Sequence, residues 1–345
     1  MILIINDIGS IQLLGFAIEN VLVEINFNNK EVMSVFFTKN KKPFSVQFSP
    51  LNPSLLALTT NAENGIFGSG TLFTLNITPY GKIQEITANN WPNALFDVRW
   101  SPSSKLILTS SGDGALQLWS LTESRLQSSF SAHNLEVSSV DWKIESIILS
   151  ASWDCTLKIW NSETCQCILG FDGHSDAIHE AQFSPKITNL ISSVSSDGTL
   201  KLWSMNTKKH LVTIKVHDAE VLSTDWNLQQ EHILVTSASD GLIRCWDIRN
   251  YLQPLFQLKG SERPVGKIRF SPHFTNITAS ASFDCSIQIS DIRLGKKLEV
   301  FRHHTGLVPD IDWCRHELGY LVDCSWDCSV MVFKLNMNTI MTNKI

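Results

Sequence analysis

Hydrophobic and polar positions alternate in short runs along most of the chain, and the runs recur in a fixed order. Segments ending in VDW, QFSP, TDW, RFSP and IDW are followed by a β-branched or small-residue run that stops at an aspartate in a turn. A third run then closes on a tryptophan or its substitute, and a fourth leads to a histidine or its substitute. Short alternating runs bounded by Gly, Ser, Asn and Asp predict strands, here four per repeat. The turn aspartates set the period: Asp113 in SSGDGALQLW, then Asp154, Asp197, Asp240, Asp284 and Asp327 follow at intervals of 41, 43, 43, 44 and 43 residues. Six residues after each aspartate stand Trp119, Trp160, Trp203, Trp246, Ser290 and Phe333. His133, His174, His217 and His304 precede their aspartates by 21 or 23 residues.

A period of this length with these marks resembles the WD40 family, and the resemblance covers the chain from about Pro43 to Leu335. It implies an all-β fold: a seven-bladed WD40 β-propeller, each blade a four-stranded antiparallel sheet, closed by an N-terminal strand joining the last blade. The first copy is faint, with Ser69 of NGIFGSGTLFTLN in the aspartate place and Leu75 in the tryptophan place. The closing strand is expected in EVMSVFFT, from Glu31 to Thr38. The organisation expected is an extension of unknown role over 1–30, the propeller over 31–335 and a short tail over 336–345. The resemblance also implies that His133, Asp154 and Trp160, His174, Asp197 and Trp203, and His217, Asp240 and Trp246 belong to structural tetrads. In each, a strand Ser or Thr completes a buried chain of hydrogen bonds, so these residues are read as architecture and not as a hydrolase triad. Blade 6 departs from the pattern, with Ser290 for the tryptophan and SERP around Ser261 where a histidine loop is expected.

Composition narrows the function. Hydrophobic residues make up 43% and charged residues 18%, which suits a globular chain, and a net charge of −5 leaves no basic footprint for nucleic acid. Eight cysteines without a recognisable export signal suggest free thiols in a reducing compartment. The apolar N-terminus is interrupted by Asp7, Glu19 and Glu24, so neither an anchor nor a signal peptide is expected, and no direct membrane insertion. Cys165-x-Cys167 and Cys324-x3-Cys328 lack the paired spacing of a zinc module; no metal and no cofactor are expected. Cys155, Cys285 and Cys328 follow turn aspartates, where a small residue is tolerated. Lys208, Lys209, Lys296 and Lys297 fall in turns on the opposite face and are read as solvated.

The loops that lead into the first strands of blades 3 to 5, AHNLEVSS, GHSDAIHE and VHDAEVLS, hold Glu136, Asp176, Glu180, Asp218 and Glu220 and no Lys or Arg. Asp97 in ALFDVRW adds another acid. Just before the turn aspartates stand Trp153, Phe283 and Trp326, where other blades carry Gly112, Ser196 and Ser239. Acid beside aromatic surface suits a ligand that is cationic at one edge and apolar along another, such as an amphipathic helix. Exposed ion pairs contribute only about 0.2 to 1 kcal/mol each, so the aromatics would supply affinity and the acids select charge.

The runs NNWPNALFDVRWSP, SGDGALQLW, HNLEVSSVDW, SASWDCTLKIW, HDAEVLSTDW, CWDIRN and DCSWDCS together resemble the peroxin-7 family, receptors for the type 2 peroxisomal targeting signal, from about Lys42 to Leu335. That resemblance implies a non-enzymatic import receptor that binds the signal of peroxisomal matrix proteins, works with an import co-receptor and docking peroxins, and shuttles between cytoplasm and peroxisomal matrix. It places Asp97, Glu136 and Glu220 at the basic end of the signal, and Trp91, Trp153 and Trp326 at its apolar face or at the co-receptor. The alternative is a WD40 scaffold that binds basic peptides such as histone tails or ubiquitin-ligase substrates. No nucleophile and base recur outside the structural repeat, so an enzyme is not expected.

Overall fold

Each repeat folds into a meander, because its four alternating runs are joined by turns too short for any other connection. The computed structural model describes residues 34–62 and 68–336, and in it seven four-stranded antiparallel sheets form a propeller. The innermost strands are Lys42–Phe48, Leu95–Trp100, Val137–Ile144, Ile178–Phe183, Val221–Trp226, Val265–Phe270 and Asp310–Trp313. Each packs on the next, and the last packs on the first, so the ring is closed. Ser34–Phe37 is the outer strand of blade 7, running antiparallel to Ser329–Lys334 with Ser34 opposite Val332 and Phe37 opposite Ser329. The extension over 1–30, residues 31–33 of the expected closing strand, and all of the expected tail beyond residue 336 lie outside the described residues.

The core lies between blades. Leu149, Ala151, Leu157, Ile159 and Phe171 of blade 3 pack against Ile178, Ala181, Phe183, Ile191 and Trp203 of blade 4. Such fully buried aliphatic side chains contribute about 1.5–3 kcal/mol each. Outer strands instead alternate with solvent, as Arg125–Ser131 does.

Two local devices shape the face that carries the aspartate turns and the loops into the inner strands, called the top here. The first is the left-handed residue after each turn aspartate. Gly114 has φ +76°, and a Cβ there would lie 2.3 Å from the carbonyl oxygen of His133. Cys155, Cys285 and Cys328 take the same position at φ 66°, 68° and 68°. The second is a bulge in the inner strands: the register shifts between Pro43 and Ser45, Val137 and Ser139, Ile178 and Glu180, Val221 and Ser223, and Val265 and Lys267. A bulge re-aims one side chain. The extra residue (Phe44, Ser138, His179, Leu222, Gly266) goes to the top, and the next one lines the central channel.

Candidate functional site

The top face rests on the hydrogen-bonded turns. In blade 3 the Trp160 indole donates to Ser150 Oγ at 2.9 Å, Ser150 Oγ meets His133 Nε2 at 2.7 Å, and His133 Nδ1 meets Asp154 at 3.0 Å. The same chain joins Trp203, Ser193, His174 and Asp197, and then Trp246, Thr236, His217 and Asp240. Burial lowers the pKa of all three histidines despite the aspartate beside each. A neutral ring fits the chain: its Nε2 accepts the Ser or Thr hydroxyl proton and its Nδ1 donates to the carboxylate.

Blade 7 is wired differently. Asp323 occupies the Ser or Thr place and Phe333 the Trp place. Asp323 accepts from His304 Nε2 at 2.9 Å and from His303 Nε2 at 2.7 Å, while His304 Nδ1 lies 2.9 Å from Asp327. An ionised carboxylate only accepts, so both nitrogens of His304 must donate, which requires the imidazolium. Burial opposes that charge, but Asp323 and Asp327 outweigh it and hold the His304 pKa up at about 9. His303, His304 and Asp323 bring metal-ligating atoms together, but these atoms already hydrogen-bond to one another. Asp323 in the repeat column was the sequence sign of this network.

Trp91 is also part of the architecture. Its indole donates to Asp113 Oδ2 at 3.3 Å and its ring stands edge-on to Trp119 at 6.4 Å, so in blade 2 it serves the turn aspartate as a histidine does in blades 3 to 5. Asp97 is corrected outright: it is 2% exposed and faces the channel, because the bulge turns Phe96 upward and leaves Asp97 inside. Its carboxylate accepts from Ser45 Oγ at 2.9 Å and Val140 N at 3.0 Å. Burial opposes its charge, yet Arg99 and Lys267 hold its pKa below the usual range. Glu180, read as a loop acid, is likewise a channel residue, 2.8 Å from Arg269, 3.1 Å from Lys267 and 3.7 Å from Arg99. These contacts reach across the channel and tie blades 2, 4 and 6 together.

The remaining candidates share the top. Trp326, Phe44, Phe96 and Trp153 form a continuous aromatic row over blades 7, 1, 2 and 3, with successive ring centroids 6.4, 5.0 and 5.9 Å apart; Phe96 is buried within it, and Trp326, Phe44 and Trp153 are partly exposed. Phe44 and Phe96 were missed by sequence reasoning, since alternation alone does not reveal a bulge. Phe283 lies over Gly266, where a Cβ would come within 2.6 Å of its ring. At the end of the row, Trp153 N donates to Glu136 O at 3.0 Å, so the aromatic row and the acidic loops meet in blade 3. Glu136 is half-buried, and Asp176, Asp218 and Glu220 are exposed. Among the described residues no helix is long and apolar enough to cross a membrane.

Comparison with known proteins agrees with this architecture. The family described as "WD domain, G-beta repeat" matches residues 82–120, 124–161, 165–204, 208–247 and 252–291, and a short "CXCXC repeat" match at 158–168 falls across two of these. The chain is 45% identical over 297 residues to the peroxisomal targeting signal 2 receptor of Mus musculus, spanning 84% of this chain and 93% of the relative. It is 42% identical over 313 residues to peroxisome biogenesis protein 7 of Arabidopsis thaliana, spanning 86% and 98%. The relative of that receptor name in Schizosaccharomyces pombe is 28% identical over 298 residues, 84% of this chain and 95% of its own length. With seven blades and relatives matched over nearly their whole length, the chain belongs to the peroxisomal targeting signal 2 receptor family of WD40-repeat proteins, which are receptors and not enzymes.

Proposed function

We propose that the chain binds the N-terminal type 2 signal of peroxisomal matrix proteins on its top face and delivers them, with a co-receptor, to the peroxisomal docking complex, shuttling between cytoplasm and peroxisome. The supporting observation is the divided top face: an aromatic row from Trp326 to Trp153 that abuts loops carrying Glu136, Asp176, Asp218 and Glu220. A short amphipathic helix with a basic residue near one end matches both halves. Its apolar side covers the aromatics, which provide most of the affinity, and its cation lies among carboxylates that select charge and register.

A reporter carrying a type 2 signal should be retained by the purified protein, and one whose basic residue is changed to Glu should not; equal retention would overturn the reading. Glu136→Lys and Glu220→Lys should weaken retention while the unfolding midpoint stays that of the parent.

A further inference from the structure

We propose that His179 is a proton-sensitive selectivity residue of this face: neutral, it leaves Glu220 and Asp176 to a cationic side chain of the ligand, and protonated, it competes with that cation for them. The inference rests on the reading of the top face as the cargo site and names a control within it.

Geometry puts His179 there. It is the bulge residue of Ile178–Phe183, so its side chain leaves the pleat and turns to the top while its neighbour Glu180 enters the channel. The bulge residues Phe44 and Phe96 make the same turn and build the aromatic row, Ser138 bonds to Ile178 O, and Gly266 leaves room for Phe283. Of these bulge positions only His179 carries a titratable group. Its Nε2 lies 2.8 Å from Ser196 Oγ, the turn residue that in blades 3 and 7 is a tryptophan. The acidic half of the face therefore has an imidazole where the apolar half has rings.

Two acidic loops flank His179: Asp176 stands three residues before it in its own lead-in loop, and Glu220 ends the lead-in loop of blade 5, whose inner strand Val221–Trp226 packs on Ile178–Phe183. Glu180 is engaged by Arg269 and Lys267, and Asp197 by His174, so neither is free to answer a charge on the imidazole. Burial favours the neutral ring, outweighing the two acids. A guanidinium or ammonium seated between Glu220 and Asp176 disfavours a second positive charge beside it, so ligand and proton exclude one another. Because burial lowers the pKa of the ring, affinity falls as pH drops below the ordinary imidazole range.

The test measures binding of an acetylated type 2 signal peptide carrying Gln at its His or Gln position, so that the probe itself does not titrate. With the parent protein, affinity should fall from pH 7.5 to pH 5.0, most steeply at the acid end. His179→Gln, which can still bond Ser196, should bind with a flat profile over that range, and His179→Lys should bind at pH 7.5 as weakly as the parent does at pH 5.0. A profile for His179→Gln as steep as the parent's, or parental affinity in His179→Lys, overturns the proposal. Glu220→Gln at pH 7.5 separates the two levels: undiminished binding there overturns the reading of the face itself, whereas diminished binding with a pH-dependent His179→Gln overturns the role of His179 alone.

Discussion

Replacing Asp323 by Asn should change the pH dependence of stability more than stability itself. Asp323 is fully buried and receives hydrogen bonds from His304 at 2.9 Å and His303 at 2.7 Å, and it is the main reason that the His304 pKa stands near 9 instead of 6.5. A raised imidazole pKa stabilises the fold fully below the unfolded value. The contribution is lost progressively as pH rises from about 6.5 and is gone above about 9. The gap of about 2.5 pH units corresponds to roughly 3 kcal/mol, a slope near 1.4 kcal/mol per pH unit. The depressed pKa of Asp323 has His303 and His304 as its causes; the His304 share is the same interaction seen from the other partner and is counted once.

Urea unfolding followed by tryptophan fluorescence, at intervals from pH 6 to pH 9.5, gives the comparison. The Asp323→Asn variant should be less stable by about 3 kcal/mol at pH 6 and within about 1 kcal/mol of the parent at pH 9.5. Titrations common to both proteins, thiols among them, cancel in the difference. Ser150→Ala in blade 3, where burial lowers the His133 pKa instead of raising it, should lower stability without the convergence toward the parent at pH 9.5 expected of Asp323→Asn. A difference between parent and Asp323→Asn that stays constant from pH 6 to pH 9.5 would mean that packing, and not charge, holds blade 7, and would refute the assignment of an imidazolium.

Other outcomes follow from the same contacts. Glu180→Gln strands Arg269, Lys267 and Arg99 in the channel and should lower stability by about 3–5 kcal/mol, read from the urea midpoint. Gly114→Ala sets a Cβ 2.3 Å from His133 O at φ +76° and should destabilise strongly, whereas Cys155→Gly, relieving a left-handed cysteine, should unfold at the same or higher urea. Trp160→Phe removes the donor to Ser150 and should cost about 1–3 kcal/mol in the same assay.

The propeller was legible because most blades use the same parts. A turn aspartate, a residue that tolerates a left-handed backbone after it, and an indole six positions on recur for internal reasons, so the period survives wherever the surface varies. One substitution within a column was passed over by sequence reasoning: the place four residues before the turn aspartate reads Thr109, Ser150, Ser193, Thr236, Ser280 and then Asp323, and an acceptor-only group there forces a different histidine state. Hidden from the sequence were contacts between distant positions, such as Glu180 with Arg269, 89 residues apart.

The acids show where alternation fails as a guide. Glu136, Asp97 and Glu220 look alike in sequence, each an acid at the approach to an inner strand. The bulge divides them. Glu136 and Glu220 precede the first strand residue and stay on the top, while Asp97, like Glu180, follows the bulged residue and is driven into the channel. In blades 2 to 6 the bulge is at the second inner-strand position, and the side chain at the third faces inward, where Asp97, Glu180 and Lys267 are engaged across the blades. As a bulge residue His179 belongs with Phe44 and Phe96, and the acidic half of the face has a titratable residue at the position that the apolar half fills with rings.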